Sequence, residues 1–190
     1  MSWSRTPVFA LLCLPMVAVI GGCSSSSAAA QVKTNGCTAV TTGTVQGRRV
    51  VTYEDATGDP AMSSAVAAAV AAWNSAAVPV RLQPVKGGAT VTILASTGPT
   101  ETTRCMPADK VRTSVITLGS RAWHGTGGKA LVRHPERDVA LELGHALGLT
   151  DAGDCTALMT KRKDCPTYSS GPDANEIAEV RKLYPGSPTH

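Results

Sequence analysis

Residues 140 to 151 read Ala140-Leu141-Glu142-Leu143-Gly144-His145-Ala146-Leu147-Gly148-Leu149-Thr150-Asp151. His134-Pro135-Glu136 opens a helix into this stretch, with Pro135 at the first helical position and Glu136 and Asp138 near the positive end of the helix dipole. Val139, Leu143, Ala146 and Leu147 fall on one face and require a core to bury them. Glu142 and His145 lie off that stripe, and Glu142 is expected to be exposed. Gly148 breaks the helix, because glycine takes left-handed backbone conformations without steric cost. The chain then turns, and Asp151 lies on the return.

The rest of the sequence supplies partners for that helix. A first strand is predicted from Thr44 to Tyr53, bent or broken near Gly47. Asp59 and Pro60 form a helix start, with Asp59 as N-cap, and the helix is expected to reach about Ala77. Met62, Val66, Ala69, Val70 and Trp73 form its core-facing stripe, so Trp73 reads as packing. Strands are predicted at Val78–Leu82 and Thr90–Leu94, separated by the turn Lys86-Gly87-Gly88, and at Val115–Leu118. A glycine-rich segment, Trp123 to Gly128, suits a substrate-facing loop or a plain hairpin connection. A final helix starts at Pro172-Asp173, buries Ile177, Val180, Leu183 and Tyr184, and stops at Pro185-Gly186. This order predicts an α+β domain without repeats.

The chain has 190 residues, of which 43% are hydrophobic, and this suits one globular domain. The net charge of +4 is spread as single residues and short pairs. Its densest run, Lys161-Arg162-Lys163, is followed at once by Asp164 and reads as a solvated loop. With no basic face or aromatic stacking platform, nucleic acid is not expected as a partner.

At the N-terminus, Arg5 precedes an apolar run from Val8 to Ile20 that is too short to span a membrane comfortably. Ile20-Gly21-Gly22-Cys23 closes the run and resembles the bacterial lipobox. That resemblance implies a lipoprotein-type signal peptide over residues 1–22 and a diacylglycerol on the Cys23 thiol. The alternative is ordinary secretion, with cleavage near Ala28 to Ala30. Residues 23–36 form a Ser/Ala-rich tether with an r.m.s. reach of about 20 Å, and residues 37–190 form the folded domain. Either signal predicts export, with membrane contact only through Cys23.

Four cysteines remain in the exported domain, Cys37, Cys105, Cys155 and Cys165, and they allow three pairings. Cys155 and Cys165 close a short loop just after the key helix and are expected to be bonded, with Cys37–Cys105 as the second bridge. Such bridges are structural staples in an oxidising compartment. No C-x-x-C spacing favours metal ligation instead.

Glu142, His145, Gly148 and Asp151 occupy the last four defined places of the zinc-protease pattern H-E-x-x-H-x-x-G-x-x-[H/D]. The pattern has a chemical basis. Residues i and i+4 of a helix share a face and can share a metal, the intervening Glu reaches a metal-bound water, and the glycine turn returns a third ligand. The first place, which needs a histidine, holds Leu141. His134 lies about 16 Å along a helix from His145, too far to substitute. His124 could approach only if the glycine-rich loop folds over the helix, and His190 sits at the terminus.

The chain from about Thr52 to Pro185 resembles the snapalysin family of small secreted bacterial zinc proteases. The resemblance is carried by Trp73-Asn74-Ser75, Leu147-Gly148-Leu149, Cys155-Thr156-Ala157-Leu158-Met159 and Pro172-Asp173-Ala174-Asn175-Glu176, with Asp151 in the position that gives the family its characteristic final Asp. It implies a metzincin-like fold: a small mixed sheet, a backing helix, an active-site helix and a C-terminal helix. It also implies zinc as cofactor, His145 and Asp151 as ligands, Glu142 as catalytic base, Met159 as the Met-turn and Cys155–Cys165 as a disulfide loop. Leu141 falls on the first zinc ligand and has no donor atom. The implied function is a zinc metalloendopeptidase, acting on protein or peptide substrates as a monomer, with activity weakened or lost through Leu141. The alternative is an inactive pseudopeptidase that binds peptides or proteins at the cell surface.

Overall fold

The computed structural model describes residues 34, 38–102, 111–120, 123, 134–162, 164–166 and 169–186. The sheet is built on β3 (Arg48–Ala56), whose Val50, Val51 and Thr52 are buried in succession. A run buried on both faces is what a parallel interior strand needs. β3 pairs in parallel with β4 (Val80–Pro84) over Arg49–Tyr53 and with β5 (Val91–Ser96) over Tyr53–Ala56. β5 pairs in parallel with β8 (Ser114–Gly119), and β6 (Glu101–Thr102) closes that side antiparallel to β8. Strand β2 (Thr44–Val45) pairs antiparallel with β3. A separate two-stranded ladder joins β1 (Thr38–Ala39) in parallel to β7 (Val111–Arg112).

Parallel neighbours require a crossover, and α1 (Pro60–Ser75) supplies the one from β3 to β4. Asp59 caps it, its Oδ1 accepting the N–H groups of Ala61 at 2.8 Å and Met62 at 3.0 Å. The predicted stripe is buried, with Ala65 added. At its C-terminal end, Asn74 Nδ2 donates to Leu82 O and Asn74 Oδ1 accepts from Leu82 N–H, both at 2.9 Å. These bonds satisfy backbone groups of β4 that the sheet does not pair.

α2 (Pro135–Ala146) packs against α1, β8 and β6, and Trp73 Nε1–H donates to Ala140 O at 2.8 Å. α3 (Ala174–Leu183) begins with a complete capping box between Asp173 and Glu176. The result is α+β, with one mixed sheet of six strands and three helices of eight residues or more among the described residues. No described helix is long and apolar enough to cross a membrane.

The strand predicted from Thr44 to Tyr53 is broken near Gly47, as one of the two expected forms, and its halves pair as a β2–β3 hairpin: Gln46 and Gly47 both take positive φ, 52° and 73°, as a two-residue hairpin turn requires. Two expectations need correction. α1 stops at Ser75, short of Ala77, with Ala76 extended. α2 is not amphipathic: every residue from Val139 to Ala146 is buried, Glu142 included. Its neighbours surround it, so the apolar stripe understates its burial. The signal peptide, the tether apart from residue 34, Cys23, Cys37, Cys105, His124 with the rest of the glycine-rich segment to Gly128, and His190 lie outside the described residues.

Candidate functional site

The end of α2 builds the site. Leu147 N–H still bonds Leu143 O at 2.9 Å, after which Leu149 N–H reaches back to Gly144 O at 3.0 Å. That reversal runs through Gly148 at φ 103°, a conformation that a side chain would strain. The turn carries Leu149 O to within 2.9 Å of His145 Nδ1. A carbonyl oxygen only accepts, so Nδ1 carries the hydrogen and Nε2 points away from the turn.

Nε2 faces Asp151. The His145 Nε2–Asp151 Oδ1 distance is 3.0 Å, with the imidazole fully buried and the carboxylate 41% exposed. The same Oδ1 lies 3.3 Å from Lys161 Nζ. Helix, glycine turn and returning Asp therefore bring together the two donors expected from the sequence, and Lys161 joins them.

Glu142 is turned to a different partner. Its Oε2 is 2.5 Å from the hydroxyl of Thr102 on β6, which also lies 3.1 Å from Glu142 O. The hydroxyl has one hydrogen, and the shorter contact to the ionisable oxygen is where it donates. One turn earlier, burial pushes the Asp138 carboxyl above its usual range, while Arg137 beside it pulls the other way and the charge of Glu142 adds to the rise.

Met159 lies beneath the helix, fully buried, against Gly144. Its loop is fixed from three sides. Met159 N–H donates to Glu176 Oε1 at 2.7 Å, Ala152 N–H donates to Met159 O at 2.9 Å, and the Arg137 guanidinium donates to Leu158 O and Thr160 O. Cys155 and Cys165 are bonded across the loop, with Cα atoms 5.2 Å apart.

Leu141 sits one turn before His145 and is part of the hydrophobic core, 4% exposed. A catalytic zinc takes three protein ligands and keeps a position open for water. Here the donors are His145 Nε2 and Asp151 Oδ1, and the next position on the helix face offers methyl groups. Among the described residues no group of three His, Cys, Asp or Glu side chains is placed to hold a metal ion. The described donor set does not fit a catalytic zinc.

Thr102, Arg137, Lys161 and Glu176 were not legible as parts of this site. Thr102 belongs to a two-residue strand without periodicity, Lys161 lies in a run that reads as a solvated loop, and Arg137 and Glu176 resemble ordinary helix-surface charges in sequence. An open cavity of about 380 Å³, lined by residues that include Thr41, Gly43, Arg49 and Gly186, involves none of them. Neither a protein-family model nor a curated protein matches the sequence of this chain.

Proposed function

We propose that this chain is an exported, lipid-anchored protein of snapalysin type and metzincin-like fold, in which zinc-dependent peptide-bond hydrolysis is weakened or lost and the scaffold binds peptide or protein. The observation that carries the reading is Leu141, buried in the core one turn from His145, where a ligating side chain is needed. Several features support the scaffold part. Parallel strands are bordered by an antiparallel strand, β6, against which the helix with Glu142 and His145 packs. The turn at Gly148 returns Asp151 to His145, and Met159 underlies the helix next to a disulfide loop.

On this reading the residues of the chain have distinct parts. His145 and Asp151 are the surviving ligand positions. Thr102 donates its hydroxyl hydrogen to the Glu142 side chain, so the orientation of that side chain is fixed by β6. A peptide or protein is the expected ligand, and membrane contact is confined to the lipid on Cys23.

The test is metal content and proteolysis of the purified protein after dialysis against zinc. Well under one tightly held zinc per chain and no cleavage of casein are expected; stoichiometric zinc with chelator-sensitive proteolysis overturns the reading. Leu141→His is expected to tighten zinc binding by more than the ~10–100-fold associated with a residue that only orients a ligand. A variant no tighter than wild type would show that His145 and Asp151 are not a ligand pair.

A further inference from the structure

Asp151 Oδ1 is shared between His145 Nε2 at 3.0 Å and Lys161 Nζ at 3.3 Å. Lys161 does not reach this oxygen as a loose surface side chain. Residues 152 and 160 form a parallel bridge, which lays the chain before Lys161 alongside the chain after Asp151. Thr160 is fully buried, and its carbonyl accepts from the guanidinium of Arg137 on the helix that carries His145. The backbone that presents Lys161 is therefore tied to the helix that presents the imidazole. The neighbouring cation is engaged elsewhere: Arg162 pairs with Asp164 at 2.6 Å.

We infer that Lys161 is the built-in cation of the His145–Asp151 pair, supplying the positive charge that a metal ion would bring and disfavouring divalent cations there. The inference deepens the reading of His145 and Asp151 as surviving ligand positions and rests on it. A divalent ion bound to Oδ1 at roughly 2.0–2.2 Å would sit within about 5.5 Å of the ammonium, which is 3.3 Å from the same oxygen. The single charge of the ammonium against the two of a divalent ion at that distance, even at the dielectric of water, lowers affinity by about tenfold. The effect stays modest because Lys161 is half-exposed and solvent and salt screen its charge. Together with Leu141, it accounts for the site in two parts: one residue offers no donor, and one side chain supplies the charge that a metal ion would bring.

Cobalt(II) is the probe, titrated into the full-length protein at low salt and followed by visible absorption and calorimetry. Lys161→Met is expected to bind cobalt about tenfold more tightly than wild type, and Lys161→Arg to bind like wild type because it keeps the charge. Lys161→Met binding no tighter than wild type, including no detectable binding by either, overturns the inference. Leu141→His, alone and combined with Lys161→Met, separates this from the ligand-position reading. If Lys161→Met tightens binding but the added histidine does not, the ligand-position reading fails while the charge role of Lys161 holds. If the histidine tightens binding and Lys161→Met adds nothing in either background, the charge role fails and the ligand positions stand. Wild-type-like thermal melting of Lys161→Met confirms that the comparison is between folded proteins.

Discussion

Gly144 is where the helix of the site touches both of its supports. A Cβ there would press into Met159 Sδ and come within 3.2 Å of Trp73 Cζ2. Both neighbours are buried, so neither moves freely. Gly144→Ala is expected to lower stability by about 1–3 kcal/mol despite the better helix propensity of alanine, read as a shift in the denaturant midpoint. An unchanged or raised midpoint would show that the Met159 side chain repacks. In the sequence this glycine shows only as a weak helix former between Glu142 and His145. Its requirement comes from Trp73 and Met159, 71 and 15 residues away. The same holds for Glu142: its type and place on the helix were readable, but its burial depends on Thr102 of a strand that has no pattern of its own. His145 and Asp151 were readable as a pair because helix period and a glycine turn are local properties.

Helices carried the most legible signals, through caps and apolar spacing, and all three begin at or within a residue of the expected places. Strands β1, β6 and β7 have two residues each and exist only through their partners, so no alternation could announce them. α3 shows what a cap signal can conceal. Its Glu176 caps the helix through Asp173 N–H at 2.7 Å, yet the same carboxylate is fully buried and also accepts Met159 N–H. Both oxygens face N–H donors, so Glu176→Gln turns an amide NH₂ toward one of them; at pH 4 the protonated carboxyl still accepts through both oxygens, which the amide nitrogen cannot do. A loss of about 1–3 kcal/mol is expected at pH 4. Burial, the largest influence, raises this carboxyl above the ordinary 4.5, against the backbone N–H groups that lower it. A carboxyl raised in the folded state gives stability that is complete below the unfolded value and lost as pH rises through the folded value. The stability gap between wild type and Glu176→Gln should therefore narrow as pH rises from 4.5; a widening gap would mean that the N–H bonds outweigh burial. Thermal unfolding at several pH values checks this.

Among the described residues, one hydroxyl joins the first strand, the last helix and the end of the site helix. Tyr184, at the end of α3 and 1% exposed, accepts Ala39 N–H from β1 at 2.7 Å and lies 3.1 Å from Leu147 O at the end of α2. As a phenol it can do both at once, accepting through oxygen and donating its one hydrogen to the carbonyl. Burial pushes its pKa above the ordinary tyrosine value, against the Ala39 N–H, which lowers it. β1 lies 145 residues from Tyr184 in sequence, and residue 34 bridges Leu149 within the turn that positions His145. The start of the described domain, its last helix and the site turn thus share one anchor. The sequence identified Tyr184 as a core residue but could not indicate where its hydroxyl went, since both partners are backbone groups that any residue offers. Tyr184→Phe keeps the ring and leaves two buried backbone groups without their partner, which costs about 1–3 kcal/mol. If the hydroxyl joins these segments, amide exchange at Ala39 and Leu149 should accelerate by more than the global loss of stability explains. If it only fills the core, all slow amides should accelerate together, and the anchor would be a packing contact with no special hold on the site.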